Sequence, residues 1–513
     1  MPRLDPDTLE RLAHDVASPE YDRTTLEPGI VHLGIGAFAR AHLAPATDAA
    51  IAATGDRRWG IVGVSLRSPD TRDALAPQRG LYTLALRDAD ERSAPRQRLQ
   101  VIGSLIELLV APENPDAVLA RIAAPATRIV TLSVTEKGYH RDPASGALNL
   151  ADPDIAHDLT HWHVPRTTLG FLVHGLHRRR MHGAEPVTLL SCDNLPANGD
   201  TLRALVLAFA REVDAQTHDW IAERCTFPNT MVDRIVPRST EADRAAVSAA
   251  LGADDAWPVV AEPYFDWAIE DRFANGRPDW TRGGARFVPE AAPFEMLKLR
   301  MVNGSHSAIA YLGAMAGWKT VDAAIAHAAL RGYADALLRD EVAPTLPPLP
   351  GLDLDTFRTR LIGRFANPAL HHRTAQIAMD GSQKLPQRLL GTLRDRRSAG
   401  ASFKRLALAV AAWIHYLRGR DEAGEAYAID DPLADALRSA LASADAAASG
   451  DGETAQRGRI AAFMAATPLF GPLAQDDAAI AAIAHWRDVL DKRGVRAALA
   501  EIGGQSEPRA AAH

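Results

Sequence analysis

The stretch Lys298-Leu-Arg-Met-Val-Asn-Gly-Ser-His306 places a lysine, an asparagine and a histidine within nine residues. Lysine and histidine can carry protons and asparagine can hold an oxyanion, which would suit hydride transfer to and from an alcohol. The alcohol must lose a proton as hydride leaves its carbon, and a neutral lysine, its pKa lowered by burial, can accept that proton. Amide N–H donors suit the alkoxide charge. A histidine can orient the oxygen or the lysine, and no metal is required. On an α-helix Lys298 and His306 lie about 80° apart around the axis, with Asn303 about 60° beyond His306, so all three fit one wide face. The axial rise from Lys298 to His306 is roughly 12 Å, which only the long lysine side chain can span. Glu295 lies one turn before Lys298 on the same side. The same spacing also fits a solvated helix face with a histidine at a helix seam. Asn303-Gly-Ser305 spells a glycosylation sequon, which carries no weight without a secretory signal.

Such chemistry needs an electron carrier. Gly34-Ile35-Gly36-Ala37-Phe38-Ala39 matches G-x-G-x-x-G/A, after an apolar strand beginning at Ile30 and before a helix. Gly34 permits a tight turn. Gly36 lets the backbone approach a pyrophosphate at the helix N-terminus, and Ala39 stands in for the third glycine. The expected cofactor is therefore NAD. Its usual partner is an acid at the end of the second strand, which here reads Ser65-Leu-Arg67-Ser68-Pro-Asp70. Asp70 could turn back toward the ribose. Arg67 with Ser68 could instead receive the 2′-phosphate of NADP, or Arg67 could be a solvated loop charge.

The elements that must position these residues follow from the pattern. Ile30 onward, Trp59–Ser65, Arg128–Tyr139 and Val187–Asn194 contain short apolar runs, with helical segments such as Leu169–Arg180 between them. That alternation predicts an α/β fold with a parallel sheet covered on both faces. From about Phe287 the β-branched runs end. TVDAAIAHAALRGYADALLRDEV and FKRLALAVAAWIHYLRG predict a mainly α-helical second half. The expected domains are residues 1–286 and 287–513, in line with a chain of 513 residues, too long for one core. Residues 1–28 read as a short helix and linker, Ser443–Thr454 as a small-residue loop, and the tail QSEPRAAAH as mobile.

With only two cysteines, Cys192 and Cys225, the sequence argues against a disulfide scaffold and a cysteine-ligated zinc site. A net charge of −7 without basic runs argues against nucleic acid or an anionic membrane as partner. The start, MPRLDPDTLERLAHDV, lacks the apolar core of a signal peptide. Leu406–Ile414 is too short to span a bilayer. A cytoplasmic location is expected.

IVHLGIGAFARAH, TLSVTEKGY, SCDNLPANG, FPNTMVDRIVP and KLRMVNGSHS, in this order, resemble the polyol-specific long-chain dehydrogenases, also called the mannitol dehydrogenase family. The likeness runs from about Ile30 to at least Pro432. It implies an N-terminal Rossmann-type dinucleotide-binding domain, a mainly helical C-terminal domain, a site in the cleft between them, and metal-independent nicotinamide chemistry. By motif it makes Lys298 the general acid/base, Asn194 and Asn303 the oxyanion pair, His306 the group that orients the substrate oxygen, and Glu295 a gate for proton exchange with water. Asp233, in MVDR, lies near the substrate or supports the site; capping or pairing with Arg234 is the plain alternative.

Within the family, AIEDRFANGRPDW, FEMLKLRMVNGSHS and HHRTAQIAMDGSQKLPQRLL look closest to members that interconvert D-fructuronate and D-mannonate. A sugar acid carries a carboxylate, which arginine and lysine bind well. Arg373 and Lys384 are the candidates, with Arg300 a weaker one. Alternatively His371, His372 and Arg373 form a solvated helix start. The competing enzyme reading is a dehydrogenase of a neutral ketose/polyol pair such as mannitol. A silent NAD-binding or sugar-sensing relative is disfavoured by the intact set Lys298, Asn303, His306 and Asn194.

Overall fold

The computed structural model describes residues 1–89, 95–142, 145–349, 352–369, 372–447, 450 and 452–504. The tail from residue 505 and His371 lie outside the described residues. The strands are β1 (Ile30–Leu33), β2 (Ile61–Ser65), β3 (Tyr82–Ala89), β4 (Pro95–Ile102), β5 (Leu105–Val110), β6 (Ile129–Leu132), β7 (Thr188–Ser191), β8 (Thr230–Asp233), β9 (Val259–Ala261), β10 (Asp266–Glu270) and β11 (Arg286–Val288). Five of them make a parallel sheet in the order β5-β2-β1-β6-β7.

Successive side chains of a strand point to opposite faces. Ile30, Ile61, Ile129 and Leu190 accordingly enter one buried core. Val31, Leu33, Val62, Val64, Val130, Leu132 and Leu189 enter another. Both faces are covered, which is why the strands read as short unbroken apolar runs rather than as alternating ones. Two smaller sheets, β4-β3-β9 and β11-β10-β8, accompany the main one. Most of their strands carry charged residues, as in Arg96 and Arg98 of β4; β9, Val-Val-Ala, is apolar but only three residues long.

The described residues divide into two compact units, one ending at Glu295 and the other starting at Met296. The second is helical. Every residue of its helix Lys404–Tyr416 from Leu406 to Ile414 is buried, as an all-round apolar helix at the centre of a helical unit must be. The pattern from Thr320 to Val342 is not one helix. Thr320 caps Val321–Ala326, His327 turns extended and stacks on Trp318, and a new helix runs from Ala328 to Ala336. The expected loop at Ser443–Thr454 is also partly helical. The helix Ala434–Ala447 extends into it as far as Ala447, because alanine favours helix and Asp445 pairs with the buried Arg487 at 2.6 Å. No helix among the described residues is long and apolar enough to cross a membrane.

One polar chain crosses the parallel sheet. His32 and Thr131 face each other in the β1–β6 register, and His32 Nδ1 lies 2.7 Å from Thr131 Oγ1. His32 Nε2 lies 3.2 Å from the Gly34 carbonyl and 3.0 Å from Ser133 Oγ, and Ser133 Oγ donates to the same carbonyl at 3.0 Å. A neutral imidazole that accepts at Nδ1 and donates at Nε2 satisfies all of this. Burial pushes the His32 pKa down to about 4.

The folded pKa of His32 is below its unfolded value near 6.5, so the unfolded chain binds more protons at acid pH. The stability involved is complete above about pH 6.5 and is lost as pH falls toward 4, on the order of 3 kcal/mol at full extent. Thermal melts between pH 7 and 4.5 should therefore show a falling Tm. A His32→Gln variant should melt lower at pH 7 and lose less on acidification. An equally steep fall in that variant would remove His32 as a cause.

Candidate active site

β2 and β5 lie to one side of β1, and β6 and β7 lie to the other. The strand order therefore reverses between β1 and β6, and in open α/β sheets ligands bind at the carboxyl ends of the strands at such a point. Two loops flank that point, the turn at Gly34 after β1 and Ser133–Thr135 after β6, and Cys192–Ala197 after β7 lies beside the second.

Gly34 has φ +93°, and a Cβ there would stand 2.3 Å from the Ser133 carbonyl oxygen. No other residue fits. Ile35 is buried, and its amide donates to Val64 at 3.1 Å. Gly36 is different. Its φ is −89°, and a Cβ would meet nothing closer than 3.8 Å. Neither conformation nor packing demands glycine there. The open space lies before the helix α1 (Ala37–Ala41), whose first amides, at Ala37 and Phe38, lack intrahelical acceptors. That is a cradle for phosphate oxygens, and the residues fit a bound dinucleotide. Beyond β2, Arg67 and Asp70 are both exposed. Asp70 begins the helix Asp70–Leu75 and accepts from Ser68 Oγ at 2.9 Å.

Asn194 is exposed in the loop after β7. The Glu295 carboxylate accepts from the Ala197 amide at 3.0 Å, three residues further on, where Ala197 is left-handed with φ 43°. Glu295 is therefore tied to the loop that carries Asn194. Asp193, which the motif reading passed over, accepts from the Val134 and Thr135 amides. Asp233 ends β8, buried and opposite Asp266 in the β8–β10 pair. Burial raises the Asp266 carboxyl pKa, Arg286 at 2.6 Å lowers it, and Asp233 raises it again. Arg234 donates to the Glu262 and Ala41 carbonyls and lies over Phe265.

In the second unit, Lys298–Gly304 forms a π-helical stretch that runs into the helix Ser305–Met315. The wider turn replaces the α-helical spacing expected from the sequence, and such insertions occur often at functional sites. Lys298 and His306 are buried and Asn303 is half-buried. Gly304 has a packing reason: a Cβ would stand 2.6 Å from the Arg388 carbonyl oxygen, on a second π-helical stretch, Pro386–Leu390. Arg388 Nη1 also donates to Ser307 Oγ at 3.1 Å.

His306 stacks on Phe365 with ring centroids 4.8 Å apart and meets His372 edge-on at 4.9 Å. Its Nε2 is buried without a hydrogen-bond partner among the described residues. Burial drives its pKa well below the usual histidine value, and His372, Arg388, Arg364 and Lys384 push it the same way. His372 is half-buried, which pushes its pKa down to about 4, while the exposed Arg373 stands at the N-cap of the helix Thr374–Ala378, so a helix does start here, and of these two residues only Arg373 is in solvent. Lys384 Nζ donates to the Met379 carbonyl at 2.6 Å and lies 3.7 Å from Asp380. Arg373 is exposed, and its backbone bridges Thr320. Arg300 pairs with Asp395 at 2.6 Å and does not simply face solvent. Arg364 and Arg388 were not legible as site residues, because nothing in their spacing marks them.

Residues 28–282 match the model of the mannitol dehydrogenase Rossmann domain, and 290–490 that of the mannitol dehydrogenase C-terminal domain. The chain belongs to the mannitol dehydrogenase family. It is similar to a D-mannonate oxidoreductase of Escherichia coli, at 46% identity over 82% of this chain and 86% of the relative. A mannitol 2-dehydrogenase of Phaeosphaeria nodorum is 40% identical over 85% of this chain and 78% of that one. Among solved structures, a ternary complex of Pseudomonas fluorescens mannitol 2-dehydrogenase with NAD and D-mannitol superimposes with a TM-score of 0.86. It is 37% identical and the match covers 98% of this chain and 100% of that one. The family member described here is an NAD(P)-dependent oxidoreductase of a sugar alcohol or sugar acid.

The two glycines should separate by experiment. Gly34→Ala should destabilise the protein by about 2 kcal/mol or more, through left-handed strain and the collision with Ser133. Gly36→Ala should leave Tm nearly unchanged yet weaken NADH binding about tenfold or more, because its methyl fills the cradle. Melting curves and NADH titration decide both. A Gly36→Ala variant with normal NADH affinity would contradict the assignment.

Proposed function

We propose that this chain interconverts a neutral polyol and its ketose, as in mannitol and fructose. The observation that carries the reading is the state of the cations expected to bind a carboxylate. Lys384 is committed to the Met379 carbonyl and Asp380, Arg300 to Asp395, and Arg373 is exposed. A neutral substrate needs no such fork. The likeness to mannitol 2-dehydrogenases supports the same reading.

The residues would act as follows. Bound nicotinamide supplies hydride in reduction and takes it up in oxidation. Lys298 gives a proton to the substrate oxygen in reduction and must be neutral to take one back in oxidation, so oxidation gains as pH rises. Asn303 would donate an amide N–H bond to that oxygen as its charge grows, a role that the family likeness gives to Asn194 as well. His306 offers its unpartnered Nε2 to the same oxygen. Its neutral state persists across the working range because burial and neighbouring cations oppose a second proton. Glu295 passes the Lys298 proton to water. Asp233 binds a substrate hydroxyl.

One observation favours a sugar acid instead. Arg388, Arg364 and Lys384 all act on His306, so the surroundings of that ring are positive. The D-mannonate oxidoreductase relative agrees with this second reading.

Oxidation of NADH and of NADPH by the pure protein, with D-fructose and D-fructuronate side by side, separates the two. The proposal expects kcat/KM for fructose to exceed that for fructuronate by about tenfold or more. The reverse order would move the chain to the sugar acids. With either substrate, Lys298→Ala should lower kcat by about 10² to 10⁴. Near-normal turnover in that variant would remove Lys298 as the acid/base.

A further inference from the structure

We propose that Asp193 is a positioning residue for hydride transfer: its carboxylate pins the loop after β6 to the loop after β7 and so shapes the nicotinamide side of the crevice. The inference rests on dinucleotide binding at the β1–β6 switch point and holds for either sugar.

The contacts are dense. The Val134 amide donates to Asp193 Oδ1 and Oδ2 at 3.0 and 3.1 Å, and the Thr135 amide to Oδ1 at 2.9 Å. The Tyr139 hydroxyl donates to Oδ2 at 2.9 Å and lies 2.6 Å from Ser191 Oγ. Ser191 Oγ accepts from the Asp193 amide at 3.2 Å. With the Tyr139 proton on Asp193, Ser191 donates to the tyrosine oxygen, and the relay closes with every group satisfied.

The result is an unusual backbone. Thr135 has φ 66° and ψ 166°, a region that glycine occupies and a β-branched residue avoids. Two amides in succession turned onto one carboxylate give a reason for it to persist. Sheet formation does not require the clamp. β6 and β7 pair through their own backbones in register from Ile129 opposite Thr188 to Leu132 opposite Ser191, before either loop begins. The strained conformation therefore stands where a ligand is met: Thr135 is exposed at the end of β6, next to β1 with its Gly34 turn, and Asn194 is exposed immediately after Asp193. Asp193 is thus placed to hold one loop directly and to set the start of the other.

The test uses Asp193→Asn and Tyr139→Phe in the full chain. NADH affinity is read by fluorescence titration without sugar, so a mistaken choice of sugar cannot disturb it. Melting temperature and kcat at saturating NADH follow. Asp193→Asn should weaken NADH binding and lower kcat, each by about tenfold or more, since small misplacements of a reacting group are costly. Tyr139→Phe should shift both in the same direction by less. A merely structural Asp193 would lower Tm while the folded protein bound NADH normally. Unchanged NADH affinity in both variants overturns the proposal, and if Asp193→Asn does not fold, Tyr139→Phe decides it alone.

Discussion

The close approach of the chain at the ends of β1 and β6 is the constraint on which the first unit depends. The turn after β1 must pass against the Ser133 carbonyl, and only the missing side chain of Gly34 permits it. Once that turn is made, Gly36 is delivered to the N-terminus of α1 with open space before it. The polar chain of Thr131, His32 and Ser133 fastens the Gly34 carbonyl from below. A buried polar group without partners would be costly. Here the imidazole has all its partners while neutral, so the chain adds direction to the turn at little cost near neutral pH. The apolar residues on both faces hold the strands, and the histidine specifies how one of them ends.

In the second unit a comparable close approach shapes the surroundings of His306. Gly304 lets the backbone of Pro386–Leu390 come within contact of the π-helical stretch that starts at Lys298. Two irregular helical turns pack where two regular ones would present side chains to each other. The contact brings Arg388 to Ser307, one residue from His306. Phe365 then covers one face of the His306 ring, and His372 meets it edge-on. The histidine emerges from this packing uncharged, with a nitrogen still to be satisfied.

Much of this could be read in the sequence, and the remainder fails for identifiable reasons. The parallel strands were legible because burial on both faces leaves unbroken apolar runs. The turn at Gly34 was legible because its glycines precede a helix. The smaller sheets were not, since charged residues such as Arg96 and Arg98 interrupt their pattern. Lys298, Asn303 and His306 were visible as a group. Their π-helical setting was not, because it arises from packing against a segment more than eighty residues away. Asp193 stood beside the singled-out Asn194 and was missed, since an acid in a loop carries no mark until its amide partners are brought in by the fold. Arg364 and Arg388 were invisible for the same reason. Arg373 was visible by its type, and it stands exposed at a helix N-cap, as Asn194 stands exposed in its loop.

The positive surroundings of His306 bear on the substrate in a way that charge alone does not settle. Cations near a reacting oxygen favour an anionic ligand, and they favour the alkoxide that forms with any substrate when its carbonyl is reduced. A positive field is therefore required by the chemistry common to ketoses and keto-acids. Recognition of a carboxylate asks for something further: paired donors aimed at two oxygens of one group, away from the reacting carbon. Lys384 supplies a point charge whose nitrogen already serves a carbonyl. Arg300 presents its fork to Asp395, and Arg388, which has the same fork and acts on His306, gives its Nη1 to Ser307 Oγ. The field around His306 accounts for the uncharged imidazole, and it would serve an oxyanion formed from either class of substrate.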